Sequence, residues 1–412
     1  MSTITTTRLD CGMDLVIEPI SGVRSAGMCW LVPGGTAREP EPLEGLGAMW
    51  SELVFRGAGG RDARASADAL DRLGVSRGAD TETFFFRFTG TMLGARVADA
   101  LPLYADMVRA PRFDGADIEP VRDLCLQEIE ALVDDPHERV MLLARQMHAP
   151  APLNRSGLGR PESLTAISPD DLTREWDRTA KPEGAVLAVA GALDPGEITE
   201  RVRSLTADWS GSAPEIEPGA PAPRGRRHLD DDTNQVHLAV VHDAPPERSP
   251  DAPLERVIAA VLSGGMSSRL FTEVREKRGL VYSVSAQYAA SRDFGRVAAY
   301  AGVTPDKARE TLDVLRAELT RLTAEGDAGG VTDSEFARAI TGIKSSLVMG
   351  GESTSARAAA LATDWFRLGR PRSLDERLAQ IDAVTRDEVN AYASRRSLGE
   401  LTIASIGPAG SL

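Results

Sequence analysis

The strongest constraint on this chain is an internal repeat. Ile167-Ser168-Pro169-Asp170-Asp171-Leu172 reads as an N-capped helix start, and Val384-Thr385-Arg386-Asp387-Glu388-Val389 repeats it 217 residues later. The strand-like run Ala185-Val186-Leu187-Ala188-Val189-Ala190-Gly191 matches Leu401-Thr402-Ile403-Ala404-Ser405-Ile406-Gly407 at an offset of 216 residues. Asp117-Ile118-Glu119-Pro120-Val121-Arg122 matches Asp333-Ser334-Glu335-Phe336-Ala337-Arg338 at the same 216. Similarity at a fixed period marks a duplicated structural unit. In a chain of 412 residues that period gives about half the sequence to each copy, enough for each to bury a core of its own.

The composition breaks once, at Gly211 to Arg227, a stretch rich in Pro and Gly that lacks apolar periodicity and closes on Arg224, Arg226 and Arg227. It reads as an exposed linker with a solvated basic end, or alternatively a small basic patch. The division expected is residues 1–210, a linker over 211–227, and residues 228–412. Within each half, β-rich stretches (Leu15 to Pro19, Ala26 to Val32, Thr83 to Gly90, Val236 to Val241, Arg296 to Gly302) alternate with helix-period segments (Asp99 to Arg109, Glu119 to Leu132, Lys307 to Leu322, Glu335 to Val348). The pattern predicts two homologous α+β domains whose antiparallel-rich sheets are covered by helices.

A net charge of −14 argues against nucleic-acid or anionic-membrane partners, which require clustered Lys and Arg. No apolar run reaches spanning length, and Asp10, Asp14 and Glu18 stand where a signal peptide would be apolar. The expected compartment is the cytoplasm, with Cys11, Cys29 and Cys125 as reduced thiols.

Two segments carry chemistry. The first is Gly45-Leu46-Gly47-Ala48-Met49-Trp50-Ser51-Glu52-Leu53-Val54-Phe55-Arg56-Gly57, followed downstream by Val121-Arg122-Asp123-Leu124-Cys125-Leu126-Gln127-Glu128. The second runs from Ser263-Gly264-Gly265 through Arg275 and Gly279 to Tyr282. On these segments the whole chain, with its two halves and linker, resembles the insulinase or pitrilysin-type zinc peptidases. The likeness is to the paired-subunit branch that includes the mitochondrial processing peptidase.

Active members of that family carry His-x-x-Glu-His on a helix, where two imidazoles four residues apart face one metal and the Glu acts as general base. The resemblance puts Ala48 and Glu52 at the two His positions and Ser51 at the base. Glu128, 76 residues after Glu52, falls at the third-ligand position, while Val121 replaces a supporting Glu. No metal is therefore expected in this chain. Glu52, Glu128 and Glu130 could instead form a carboxylate-only site for a hard cation, or be the solvated relics of a lost one.

The five His do not repair the motif. His237 and His242 fall on opposite faces of a strand-like run, His137 sits in a polar turn, His148 ends a helix, and His228 is an exposed residue near the linker. Cys125, among apolar helix residues, reads as core rather than nucleophile. The glycines at 264 and 265 match neither phosphate-binding fingerprint.

In the family, the residues at the positions of Arg275 and Tyr282 bind substrate carbonyls and help stabilise the oxyanion. The resemblance thus implies a non-catalytic, substrate-binding subunit forming half of a clamshell. Its partner would be a homologous subunit with an intact His-x-x-Glu-His motif and the zinc, and its substrate an unfolded peptide added as a strand near Arg77 to Thr83. The alternative is a purely structural or assembly protein of the same fold. A homodimer in isolation fits either reading.

Overall fold

The computed structural model describes residues 3–217, 219–322 and 329–411, and residue 218 of the anticipated linker lies outside them. The chain forms two compact units. One comprises residues 1–131, 151–219 and 350–373, and the other residues 132–150, 220–349 and 374–412.

The first unit is built on a six-stranded sheet of order β1-β2-β8-β3-β7-β6. Its strands are β1 (Thr5–Arg8), β2 (Asp14–Pro19), β3 (Ser25–Pro33), β6 (Ser76–Thr81), β7 (Phe85–Leu93) and β8 (Val186–Gly191), while β4 (Gly57–Ala58) and β5 (Arg61–Asp62) form a separate ribbon. All neighbours are antiparallel except β2 and β8. β3 is buried along nearly its whole length, as its unbroken apolar run requires of a strand covered on both faces. One face packs against helices Leu46–Leu53, Val97–Arg109 and Pro169–Thr179, where Trp176 meets Trp50 edge to face at 5.2 Å and Phe86 at 5.1 Å.

The second unit holds a five-stranded sheet of order β11-β12-β10-β13-β9. Its strands are β9 (Gly225–Asp230), β10 (Val236–Ala244), β11 (Val281–Ala290), β12 (Gly295–Val303) and β13 (Thr402–Gly407). Helices Ala252–Ser263, Ala308–Arg321 and Arg386–Arg395 cover one face.

The repeated segments form equivalent elements. Ser168 and Asp171 make a capping box at one helix start, and Thr385 and Glu388 make the same box at the other. β8 and β13 are the paired core strands of the two copies, each ending in a glycine of positive φ, Gly191 and Gly407.

The units differ from a simple cut at the linker in one respect. The second face of each sheet is covered by a helix from the other half of the sequence. Helix Thr354–Leu368 lays Ala358, Leu361 and Ala362 on Val16, Cys29 and Leu31 of the first sheet. Helix Pro136–His148 lays Val140, Leu143, Ala144 and Met147 on Ala239, Val241 and Ala404 of the second. Apolar periodicity shows that a helix has a face to bury but not which sheet receives it. At the first site the approach is close: a Cβ on Gly27 would lie 2.5 Å from the Ser355 backbone. A buried ion pair, Arg357 to Glu18 at 2.5 and 2.8 Å, fixes the register.

The linker is also more ordered than its composition suggests. Residues 225–227 are already strand, β9 pairing in parallel with β13, and Arg224 makes a two-pronged ion pair with Asp243 at 2.6 and 2.7 Å. His228, expected to be exposed, is half-buried in β9 because its Nδ1 meets the Ser405 hydroxyl at 2.8 Å.

Candidate functional site

In the first unit the degenerate motif lies on helix Leu46–Leu53, entered through Gly45 in the left-handed conformation (φ 116°). Buried Glu39 accepts the Gly45 N–H at 3.0 Å and the Gly47 N–H at 2.8 Å, so a carboxylate caps the helix from outside its own segment. Burial pushes its carboxyl up to about 7, against the pull of those two N–H donors.

Ala48 is half-buried against the core and offers no donor atom. The Ser51 hydroxyl donates back to the Gly47 carbonyl at 2.8 Å, and the Thr81 hydroxyl donates to the same oxygen at 2.8 Å. Glu52 is exposed on this helix, and Glu128 and Glu130 are exposed on helix Gly115–Ala131. Buried Cys125 senses both Glu128 and Glu52: burial pushes its thiol up to about 12, and these two carboxylates add to the rise. Helix Leu46–Leu53 packs against helix Gly115–Ala131.

The donors there do not suit zinc, because a methyl and a carboxylate replace two imidazoles and a hydroxyl replaces the base. Among the described residues, no three or more His, Cys, Asp or Glu are grouped to hold a metal. The imidazoles are engaged elsewhere. His237 Nδ1 contacts the Tyr300 hydroxyl at 2.8 Å, His148 Nδ1 the Thr402 hydroxyl at 3.0 Å, and His242 Nδ1 the Asp243 carbonyl at 2.7 Å. His137 lies in the first turn of a helix rather than in a loop, with its ring centroid 4.1 Å from that of Tyr300 in a T-shaped contact. Alongside the motif helix, β6 is an edge strand, hydrogen-bonded within its sheet only to β7.

In the second unit, the chain leaves helix Ala252–Ser263 through Gly264 and Gly265 and enters a π-helical turn, Phe271–Glu276. The Lys277 N–H reaches back five residues to the Thr272 carbonyl at 2.9 Å. Such wide turns rotate side chains away from their α-helical directions and occur often at functional sites. Gly279 (φ 58°) then reverses the chain into the edge strand β11.

β11 opens with a bulge. Val281 pairs with Val303 and Ser283 with Gly302, leaving Tyr282 as the extra residue. Tyr282 projects from it, 81% exposed. The Arg275 guanidinium carbon lies 5.1 Å from the Tyr282 ring centroid and 4.8 Å from that of Phe271. The cation is therefore held between two aromatic faces, its donors unspent on any ion pair among the described residues. A phenol and a guanidinium side by side at a strand edge offer a cluster of donors for backbone carbonyls or a carboxylate.

The resemblance to the insulinase-type peptidases singled out Arg275 and Tyr282, and the structure places them in contact. It did not reveal Phe271 beneath the guanidinium, the bulge, or Glu39, although an acid just ahead of a glycine-entered helix was a legible sign of the last.

Residues 18–159 match the sequence family described as insulinase (peptidase family M16), and residues 166–343 that described as peptidase M16 inactive domain. An uncharacterized zinc protease of Streptomyces coelicolor is 30% identical over 421 residues, spanning 99% of this chain and 90% of its own length. One from Mycobacterium tuberculosis is 30% identical over 413 residues, spanning 98% and 93%. Among solved structures, a peptidase M16 inactive domain from Pseudomonas fluorescens aligns with TM-score 0.87 at 20% identity over 98% of both chains. A chain of complex III2 from Candida albicans aligns with TM-score 0.81 at 18% identity over 98% and 96%. No helix among the described residues is long and apolar enough to cross a membrane.

Proposed function

Because the chain belongs to the insulinase-like peptidase family M16, we propose that it is the non-catalytic, substrate-binding subunit of a two-chain zinc metallopeptidase acting on unfolded peptides. The zinc would sit on a homologous partner with an intact His-x-x-Glu-His motif. The observation that carries this reading is an asymmetry between the two halves. Ala48, Ser51 and Glu52 offer no zinc-binding imidazole, whereas Arg275 and Tyr282 form a stacked donor pair at a bulged strand edge. A relic would have no reason to hold an exposed Tyr on a bulge with a cation stacked on it.

In this role the Arg275 guanidinium donates to peptide carbonyls and orients the scissile bond, and the Tyr282 hydroxyl donates to the oxygen on which negative charge develops. A peptide strand adding along an open sheet edge would satisfy its own backbone groups meanwhile, with β6 offering such an edge. The site works in the cytoplasm on this account, where the three cysteines stay reduced.

The test is reconstitution with a homologous subunit bearing His-x-x-Glu-His, assayed on an unstructured peptide. Tyr282→Phe is expected to lower kcat about a hundredfold, the scale of losing one oxyanion donor. Arg275→Ala is expected to raise KM as well. Turnover by a verified complex that ignores both substitutions would refute the reading and favour a purely structural or assembly role.

A further inference from the structure

The two copies of the repeated unit differ at one place that the proposed function leaves unused. β10 lies between β13 and β12 as β3 lies between β8 and β7, so helix Ala252–Ser263, which follows β10, is the counterpart of the motif helix Leu46–Leu53. Helix Asp333–Gly351 is likewise the counterpart of Gly115–Ala131, since the repeated segments Asp117 to Arg122 and Asp333 to Arg338 lie at their starts. In the first copy the two helices pack against each other. In the second, a cavity of about 730 Å³ opens between them, a volume that admits a ligand-sized group.

The lining is chiefly apolar. Ala339, Ile343 and Leu347 recur every fourth residue along helix Asp333–Gly351, with Ala260 and Val261 on the other wall. Of the 19 residues in helix Asp333–Gly351, only Ala339 is buried. Met266 and Met349 stand at the cavity 74% and 64% exposed. Unbranched and polarizable, methionine reshapes itself around partners of different form, as a site for varied side chains requires. Gly342 also lines the cavity, in a helix interior where glycine is costly, and a Cβ built there would meet no atom within 4 Å. A larger side chain at this position would narrow the space without a clash. The charges at the cavity are already matched. Arg256 binds Glu247 at 2.8 Å and Glu335 binds Arg269 at 2.6 and 2.9 Å, while Arg338 is exposed and donates to the Ser334 hydroxyl. The lining therefore suits an uncharged apolar group rather than an ion.

We propose that this cavity is a subsite for a large apolar side chain of the unfolded peptide, an anchor additional to the Arg275 and Tyr282 donors. The loop Gly264 to Ser268, which walls the cavity, runs directly into the turn Phe271–Glu276 that carries Arg275. Arg269, between loop and turn, is fastened through Glu335 to the helix of the opposite wall. Folded proteins bury Leu, Phe and Met, whereas unfolded chains expose them, so the subsite selects for unfolded substrates. The proposal rests on the reading of this chain as a substrate-binding subunit, and its test is binding rather than turnover.

The isolated full chain, with isotope-labelled methionine methyl groups, is titrated with an unstructured peptide carrying one central Leu and with the same peptide carrying Ser there. The Leu peptide is expected to bind about tenfold more tightly, the scale of burying one such side chain in an open pocket, and to shift the Met266 and Met349 methyl resonances. Gly342→Leu should remove that advantage and leave the affinity of the Ser peptide within about twofold, and Met266→Ser, at an exposed position, should cut the advantage about threefold. Gly342→Ala adds only a methyl group, suits the helix and should retain it. Equal affinities of the two peptides in the parent, or an advantage that survives Gly342→Leu in a folded chain, overturns the proposal. So does a Gly342→Leu chain that loses self-association or assembly with the homologous subunit while its peptide binding is unaltered, because another chain then fills the cavity. If turnover of the reconstituted peptidase ignores Tyr282→Phe while the Leu advantage still depends on position 342, the subsite stands and the role given to Tyr282 fails alone.

Discussion

Arg269 shows how this chain spends a buried charge. Its side chain is 5% exposed and binds Glu335 through two bonds, 2.6 and 2.9 Å, while donating to the carbonyls of Gly329 and Gly330 at 3.1 and 2.6 Å. These contacts tie the segment that follows Gly264 and Gly265 to the start of helix Asp333–Gly351. Burial raises the Glu335 carboxyl, but the Arg269 guanidinium and the Thr332 N–H and hydroxyl outweigh it and hold it at about 2, against an ordinary 4.5. A depressed folded-state value contributes stability that is complete above about 4.5 and is lost as pH falls toward about 2. Chemical denaturation from pH 6 down to about 2 should therefore show a steeper loss in the parent than in Glu335→Gln. Equal slopes would remove the pair from the account. Arg269→Ala, which leaves the carboxylate without its partner, should cost about 3 kcal/mol. At this scale the sequence was legible where a family resemblance carries the information, as for Arg275 and Tyr282 on either side of Gly279. It was silent where partners come from distant strands, as with His237 and Tyr300, or Glu39 and the Gly45 and Gly47 amides.

Between residues and the whole chain, the degenerate motif helix keeps its setting. Gly45, the Glu39 cap and the neighbouring helix Gly115–Ala131 all persist around Ala48 and Ser51. Restoring the ligands should then restore metal binding: Ala48→His combined with Glu52→His is expected to take up about one zinc per chain with Glu128 as third protein ligand, measured by titration with a chromophoric chelator. No uptake by a folded variant would show that the helices no longer frame the site. The exchanged helices make a second prediction. Gly27→Val must push against the Ser355 backbone, and Arg357→Ala strands Glu18 in the interior, so losses of about 1–3 and about 3–5 kcal/mol are expected in equilibrium unfolding. Helix boundaries and caps were readable from Ser168, Asp171, Thr385 and Glu388. The destination of helices Pro136–His148 and Thr354–Leu368 was not, since an alanine- and leucine-rich face suits either sheet.

For the whole molecule, duplication and exchange act together. The repeat explains why two α+β units share a plan, and the reciprocal crossing of one helix explains why neither half of the sequence contains a complete unit. Residues 1–219 expressed alone would leave Val16, Cys29 and Leu31 without their helix and should aggregate, whereas coexpression with residues 220–412 should recover soluble complex. On the proposed reading, loss of the metal ligands from one copy, with the Arg275 and Tyr282 pair kept in the other, would make a single chain insufficient and a paired one complete. The most direct test is peptide cleavage by this chain alone, by an intact-motif homologous subunit alone, and by the two together. The account predicts turnover only in the mixture, abolished by chelator and lowered about a hundredfold by Tyr282→Phe in this chain. Chelator-sensitive cleavage by this chain alone, or a mixture indifferent to Tyr282, would contradict it.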